Sequence, residues 1–361
     1  MPSIINPECF VIQPPADFLL AHPPLRHLSA EVASRYAHNE LVTDDMLRAG
    51  GGFMWEALKL DAEFDAICKQ AGRGIIPIVI ETEDPAILSL PWEALYHPQV
   101  GFLGLDVKFT LSRRIPGAPR DNSPAEAGLL RVLLFAAMSE DQRRLDVEEE
   151  QAQVQEALMP LIAKGLVCLD RPDDGRFETF QQKLNSFEPH LVFLSGHGKY
   201  HDQSALDQPS YAEFLFETGS DDGDPVKGEK LADAFGALPV QCVVLSVCEL
   251  GKLASDRLNT GLAQRLILHG IPHVIGMRQC ILDTAGTRFN RTFCHAIARR
   301  ERVDVALQLA RQAISHPLEG SKKESGLVGV EEMSLGQWCL PSLISNDVER
   351  PLIDWKFEPA D

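Results

Sequence analysis

The stretches HLVFLSGHGKY, His190 to Tyr200, and QCVVLSVCELG, Gln241 to Gly251, decide how this chain is read. Each is a short apolar run that stops abruptly at small or polar residues. A β-branched run of that length predicts a fully buried strand of a parallel sheet. His197 stands just past the first run, between Gly196 and Gly198, and Cys248 just past the second. The two glycines predict close backbone approach and positive φ around the imidazole, rather than a packing role. In an open α/β sheet, ligands bind in the crevice beyond the carboxyl ends of the strands. If the two strands are neighbours, an imidazole and a thiol share that crevice. A cysteine nucleophile requires such a pair, because a nearby base holds the sulfur as thiolate.

Outward from these strands the texture is α/β. Strands are predicted at LLRVLLFAA (129–137), LVCL (166–169), YAEFLFE (211–217) and PHVIGM (272–277). Helices are predicted over 147–164, 176–187, 230–238, 260–269, 285–300 and 303–313. Strands alternating with such helices imply a mainly parallel sheet with helices on both faces. The segment 316–332 reads as a polar loop, and GQWCLPSLI (336–344) as a last strand-like segment. Upstream, PGAPRDNSPAEAG (116–128) is a Pro/Gly/Ser linker and the best internal boundary. Before it, 41–115 holds helical patterning around Met46, Phe53, Leu58 and Phe64, then strands near 74–82, 101–105 and 108–115. Ile87 to Leu90 reads as extended, followed by a short helix that puts Trp92, Leu95 and Tyr96 on one side. Residues 1–40, with Pro14, Pro15, Pro23 and Pro24, read as an irregular arm with one short helix, and 346–361 as a tail.

The net charge of −18, from 34 basic and 52 acidic side chains, excludes a basic nucleic-acid or anionic-membrane surface as the principal interface. A basic peptide is compatible with it, although solubility alone also selects an acidic total. The eight cysteines are scattered without a CxxC pair, which argues against structural zinc. The apolar runs are too short for a membrane span, and no signal peptide is evident, so a reducing, cytoplasmic compartment is expected.

The chemistry has bland alternatives. A cysteine at the end of an apolar strand is commonly just a buried side chain. His197, Cys248 and Glu249 make too sparse a set for a metal site, and neither metal nor cofactor is expected. A serine-hydrolase elbow and a dinucleotide fingerprint are both missing. Asp283, in MRQCILDTAG, starts a predicted helix after strand 272–277. The commonest fate of such an aspartate is capping. The other reading is an acid at the crevice that binds a substrate Arg or Lys. His190, His269 and His273 read as structural or solvated.

LPWEALYHPQVGFLGL (90–105), FLSGHGKY (193–200), VVLSVCELG (243–251), GLAQRLILHGIPHVIGMRQCILDTAG (261–286) and QWCLPSLI (337–344) occur in the order of the CHAT domain, a caspase-like, separase-related clan CD cysteine peptidase family. The chain resembles that family over roughly residues 40–345. The resemblance implies a caspase-like fold with 41–115 as an amino-terminal, non-catalytic half and 129–345 as the catalytic part. It implies His197 as general base, Cys248 as nucleophile, and the backbone amides of Gly198 and Cys248 as the oxyanion hole. It implies that Asp283 shapes a pocket for a basic P1 side chain. Val247 and Leu250 depart from the family's more usual alanine and threonine. Arg278 and Gln279 stand where many members have leucine and tryptophan. The implied activity is a cysteine endopeptidase acting on a protein or peptide, gated by a protein activator or sensor, in a bacterial stress or defence response. Autoprocessing at Arg113–Arg120 or Lys322–Lys323 is permitted by the sequence. A silent scaffold that binds partners through the same crevice is the main alternative, and a small-molecule thiol hydrolase or transferase is a further one.

Overall fold

The computed structural model describes residues 5–6, 9–38, 40–137, 144–201, 211–218, 223–236, 238–248, 255–278, 281, 283–315 and 336–355. The amino-terminal region begins with β1 (Ile5–Asn6), β2 (Cys9–Ile12), α1 (Phe18–Ala21), α2 (Pro23–Ala37), α3 (Asp44–Leu58) and α4 (Asp61–Ala71). It continues with β3 (Ile76–Glu81), α5 (Pro85–Leu88), a 3-10 turn at Trp92–Ala94, β4 (Tyr96–His97), β5 (Gly101–Phe102) and β6 (Phe109–Arg114). Next come β7 (Leu130–Ala136), α6 (Arg144–Ile162), β8 (Val167–Asp170), α7 (Phe177–Phe187), β9 (Leu191–His201), β10 (Tyr211–Phe216) and β11 (Asp224–Lys227). The remainder is α8 (Gly228–Phe235), β12 (Cys242–Cys248), α9 (Ser255–Leu268), β13 (His273–Met277), α10 (Asp283–Ala298), α11 (Val303–Ser315) and β14 (Pro341–Ser345).

Twelve of these strands form one sheet. Its path is β1-β2-β3-β6-β14-β13-β12-β9-β10-β11, with β7 joined to β9 and β8 joined to β7. The segment β8-β7-β9-β12-β13 is parallel throughout. Each central strand is buried on both faces because both carry helices. Leu191, Phe193, Cys242 and Val244 meet α6, α10 and α11 through Val154, Phe293 and Leu307. The alternate residues Val192, Leu194, Val243 and Leu245 meet α7, α8 and α9 through Phe180, Phe235 and Leu266. This period of two is strand geometry read from both sides. The fold is α/β with a mainly parallel, doubly covered sheet, as the alternating elements predict.

Three local expectations are corrected. Residues 1–40 are not an irregular arm: β2 pairs in parallel with β3, and α2 is a helix of 15 residues. Prolines 23 and 24 sit at the first positions of α2, where an absent N–H costs nothing. Ile87 and Leu88 lie in α5, not in an extended run. There the Asp84 carboxylate accepts from the amides of Ala86 and Ile87. The glycine-rich end of the histidine strand does not stop the strand, because β10 continues the ladder from His197 to His201. β11, unforeseen in sequence, completes that antiparallel edge. The segment 316–332 lies outside the described residues. Of the carboxyl-terminal residues, Val348, Leu352 and Ile353 are buried, and Val348 covers Cys9, Val11 and Val79 on one face of the sheet.

Candidate active site

β9 and β12 are adjacent and parallel, with register pairs running from Leu191↔Cys242 through Ser195↔Ser246 and Gly196↔Val247 to His197↔Cys248. The two predicted residues therefore occupy facing positions one strand spacing apart, about 4.8 Å between backbones. Strand order also reverses here. β8 lies on one side of β7 and β9 on the other, so the carboxyl end of β9 borders a topological switch point. His197 is half-buried and engaged in a further interaction. The backbone of Cys248 closes β12, and Glu249 and Leu250 lie outside the described residues.

The flanking glycines act differently from expectation. A Cβ on Gly196 would stand 2.6 Å from Phe214 Cζ and 2.8 Å from the Ala137 carbonyl oxygen, so close approach is required. Its φ is not positive, however; the space goes to the Phe214 ring, which is a packing role. Gly198 is buried in mid-strand opposite Phe214.

Beneath the strand ends lies a polar cluster that sequence reasoning missed. The Glu150 carboxylate of α6 accepts from Ser246 Oγ at 3.4 Å and from the Asn290 side-chain amide of α10. Ser195, the register partner of Ser246, lines a small cavity with Glu150 and Asn290. Asn290 Oδ1 has no hydrogen-bond partner although the residue is 1% exposed. The signal was in the sequence. The two decisive strands share the spacing Leu-Ser-x-His and Leu-Ser-x-Cys, which aligns both serines two residues before the dyad.

β13 follows β12 in the sheet and ends at Met277. Asp283 begins α10, the first-turn position expected of it, and the backbone alone is described there. On the side of β14 away from β13, around β6, the buried interior is built on charge. Arg113 donates from Nη1 and Nη2 to both Glu93 oxygens at 2.6 and 2.9 Å, and from Nε to the Leu88 carbonyl at 2.7 Å. Arg311 donates to Glu93 at 3.3 Å and to the Pro341 carbonyl at 3.0 Å. Burial alone would raise the Glu93 carboxyl, but Arg113, with Arg311 and Arg278, outweighs it and holds the group below its ordinary range. The Glu of the LPWE segment is thus an internal anchor between amino-terminal and carboxyl-terminal elements.

The other thiols make poor nucleophiles where a shift is resolved. Burial pushes Cys242 and Cys294 far up, Cys68 up, and Cys339 to about 11. The histidines read as structural are so. His190 accepts the Arg131 amide at Nδ1 (3.1 Å) and meets Glu126 at Nε2 (3.0 Å). His273 donates from Nε2 to the Arg350 carbonyl at 2.8 Å.

The CHAT domain profile matches residues 53–349. The chain belongs to the CHAT domain family. Among curated proteins, none matches the sequence. The solved structures that resemble this CHAT chain include the following three. Gingipain R, an Arg-specific cysteine proteinase, is 9% identical over 100% of this chain and 81% of its own, with a TM-score of 0.49. Separase from Saccharomyces cerevisiae, in complex with securin, is 12% identical over 75% of this chain, with a TM-score of 0.38. The match spans only 15% of the separase-complex chain. The Drosophila initiator caspase Dronc is 14% identical over 55% of this chain and 79% of its own, with a TM-score of 0.34. No described helix is long and apolar enough to cross a membrane.

Proposed function

We propose that this CHAT chain is a cysteine endopeptidase with Cys248 as nucleophile and His197 as general base. The observation that carries the reading is the register pair His197↔Cys248, the last parallel pair between the adjacent strands β9 and β12. In the proposed reaction, His197 takes the thiol proton and the sulfur bonds to the scissile carbonyl carbon. The backbone N–H groups of Gly198 and Cys248 donate to the resulting oxyanion. The C–N bond then breaks and the leaving amine takes the proton from His197. Water, deprotonated by His197, hydrolyses the thioester and frees the thiol. The crevice would hold an extended peptide, with Asp283 facing a basic P1 side chain. Residues 129–345 would carry the catalysis and 41–115 the supporting half. By analogy with the family, the setting is a bacterial stress or defence response in the cytoplasm, switched on by a protein activator.

The test is cleavage of a tetrapeptide library by wild type, Cys248→Ala and Asp283→Ala, with and without lysate as a source of activator. Cleavage after Arg or Lys that needs Cys248 and Asp283 supports the whole reading. Cysteine-dependent cleavage after other residues keeps the peptidase and removes Asp283 from the pocket. No cleavage in either condition favours the scaffold.

A further inference from the structure

Arg278 directly follows β13, at the crevice edge of the strand beside β12. Its backbone amide is fixed by the Leu340 carbonyl at 3.0 Å, and the residue is only 7% exposed. Its side chain lines a small cavity with Arg113, Gly276, Ser342 and Leu88. Among the described residues its guanidinium has one acceptor, the Ser89 carbonyl, which takes the Nη2 proton. A guanidinium carries five N–H donors in a planar fork. The neighbours contrast with it. Arg113 spends its donors on Glu93, Leu88 and Leu90, and Arg311 on Glu93, Gln308 and Pro341.

The charges are equally unbalanced. Three guanidiniums act on the single carboxylate of Glu93, and Glu93 makes its hydrogen bonds to Arg113 and Arg311. The remaining donors of Arg278 are not enclosed away from solvent, so an incoming acceptor can reach them. A carboxylate is the partner that fits such a fork in two-pronged fashion and cancels its charge.

We propose that Arg278 forms a carboxylate subsite of the substrate groove, taking the side chain of an aspartate or glutamate in a bound peptide. The proposal rests on reading the crevice as a peptide groove, and it goes beyond the dyad and Asp283. With Asp283 a few residues on, the groove would present a cation and an anion to side chains of opposite charge. The chain's net charge of −18 opposes acidic ligands, so any preference for them must arise locally.

The test measures binding without turnover, in Cys248→Ala. Fluorescence anisotropy compares pairs of fluorescein-labelled octapeptide pools that differ only in one position fixed as Glu or Gln. The Glu pool should bind about tenfold or more tighter at one position, the scale of a hydrogen bond to a charged group. Adding Arg278→Gln should abolish the difference, and Arg278→Lys should keep its sign at reduced size. Equal treatment of both pools at every position in Cys248→Ala overturns the proposal. So does an undiminished preference in Arg278→Gln. If Arg278→Gln does not fold, the parent and the Lys variant still decide. Preference for Glu in a protein that cleaves nothing would keep Arg278 and count against the peptidase, so the two failures are distinct.

Discussion

Glu93 illustrates how a single side chain can bind distant parts of this chain together. It is fully buried, 20 residues from Arg113 and 218 from Arg311 in sequence, and it bonds to both. Glu93→Gln should destabilise by about 3–5 kcal/mol, because the guanidiniums stay buried without their counterion. The urea midpoint reports it, and an unchanged midpoint would contradict the account. His273 sets a pH dependence. It is neutral in the fold, donating from Nε2 to Arg350 O and accepting from Ser345 Oγ at Nδ1, and burial pushes its pKa below the ordinary 6.5. The unfolded state therefore binds the proton first, and the stabilisation is present above about pH 6.5 and shrinks as pH falls below it. Urea midpoints at pH 7.5 and 5.5 should fall in that order, and the drop should be smaller in His273→Asn. At this scale the facing positions of His197 and Cys248 were legible because each follows an apolar run. The partners of Glu93 were not, since sequence distance hides them, and of the cluster around Glu150 only the two serines left a local mark.

At the level of elements, α3 was legible from its apolar spacing, and Thr43 caps it by accepting from the Met46 amide at 3.2 Å. Its docking was not. A Cβ on Gly51 would stand 1.8 Å from the Ala94 carbonyl oxygen, so the helix rests backbone to backbone on the turn that carries Glu93. Gly51→Ala should force the two apart and cost about 1–3 kcal/mol, the usual penalty of overpacking. Gly52→Ala, which meets nothing within 4 Å, is the control and should leave the melting temperature level or higher. Equal losses in both would contradict the docking. β2, four residues long, escaped notice because such a run carries too little periodicity to separate from loop. β9 was read over its first half; the rest of its ladder depends on β10, which no local pattern announces.

Across the whole molecule, one strand joins the two parts. β14 pairs antiparallel with β13 and parallel with β6, so the sheet passes unbroken from the amino-terminal strands to the site. The strand-like QWCLPSLI was legible in sequence, but pairing across such a separation leaves no local mark. Continuity of sheet and of the buried Glu93 network predicts cooperative unfolding. Trp55 and Trp92 lie in the amino-terminal core, Trp338 in the core under the site. Tryptophan fluorescence and far-UV circular dichroism should trace one coincident urea transition; two separated transitions would show that the halves unfold independently.

The central claim is that His197 activates the Cys248 thiol across adjacent strands. The most direct measurement is the rate of Cys248 alkylation by iodoacetamide against pH, followed by peptide mass mapping, in wild type and His197→Ala. The account predicts that wild-type Cys248 reacts at pH 6 far faster than a free thiol of ordinary pKa, and that His197→Ala moves the profile up toward the ordinary value of about 8.5. Superimposable profiles in the two proteins would contradict it.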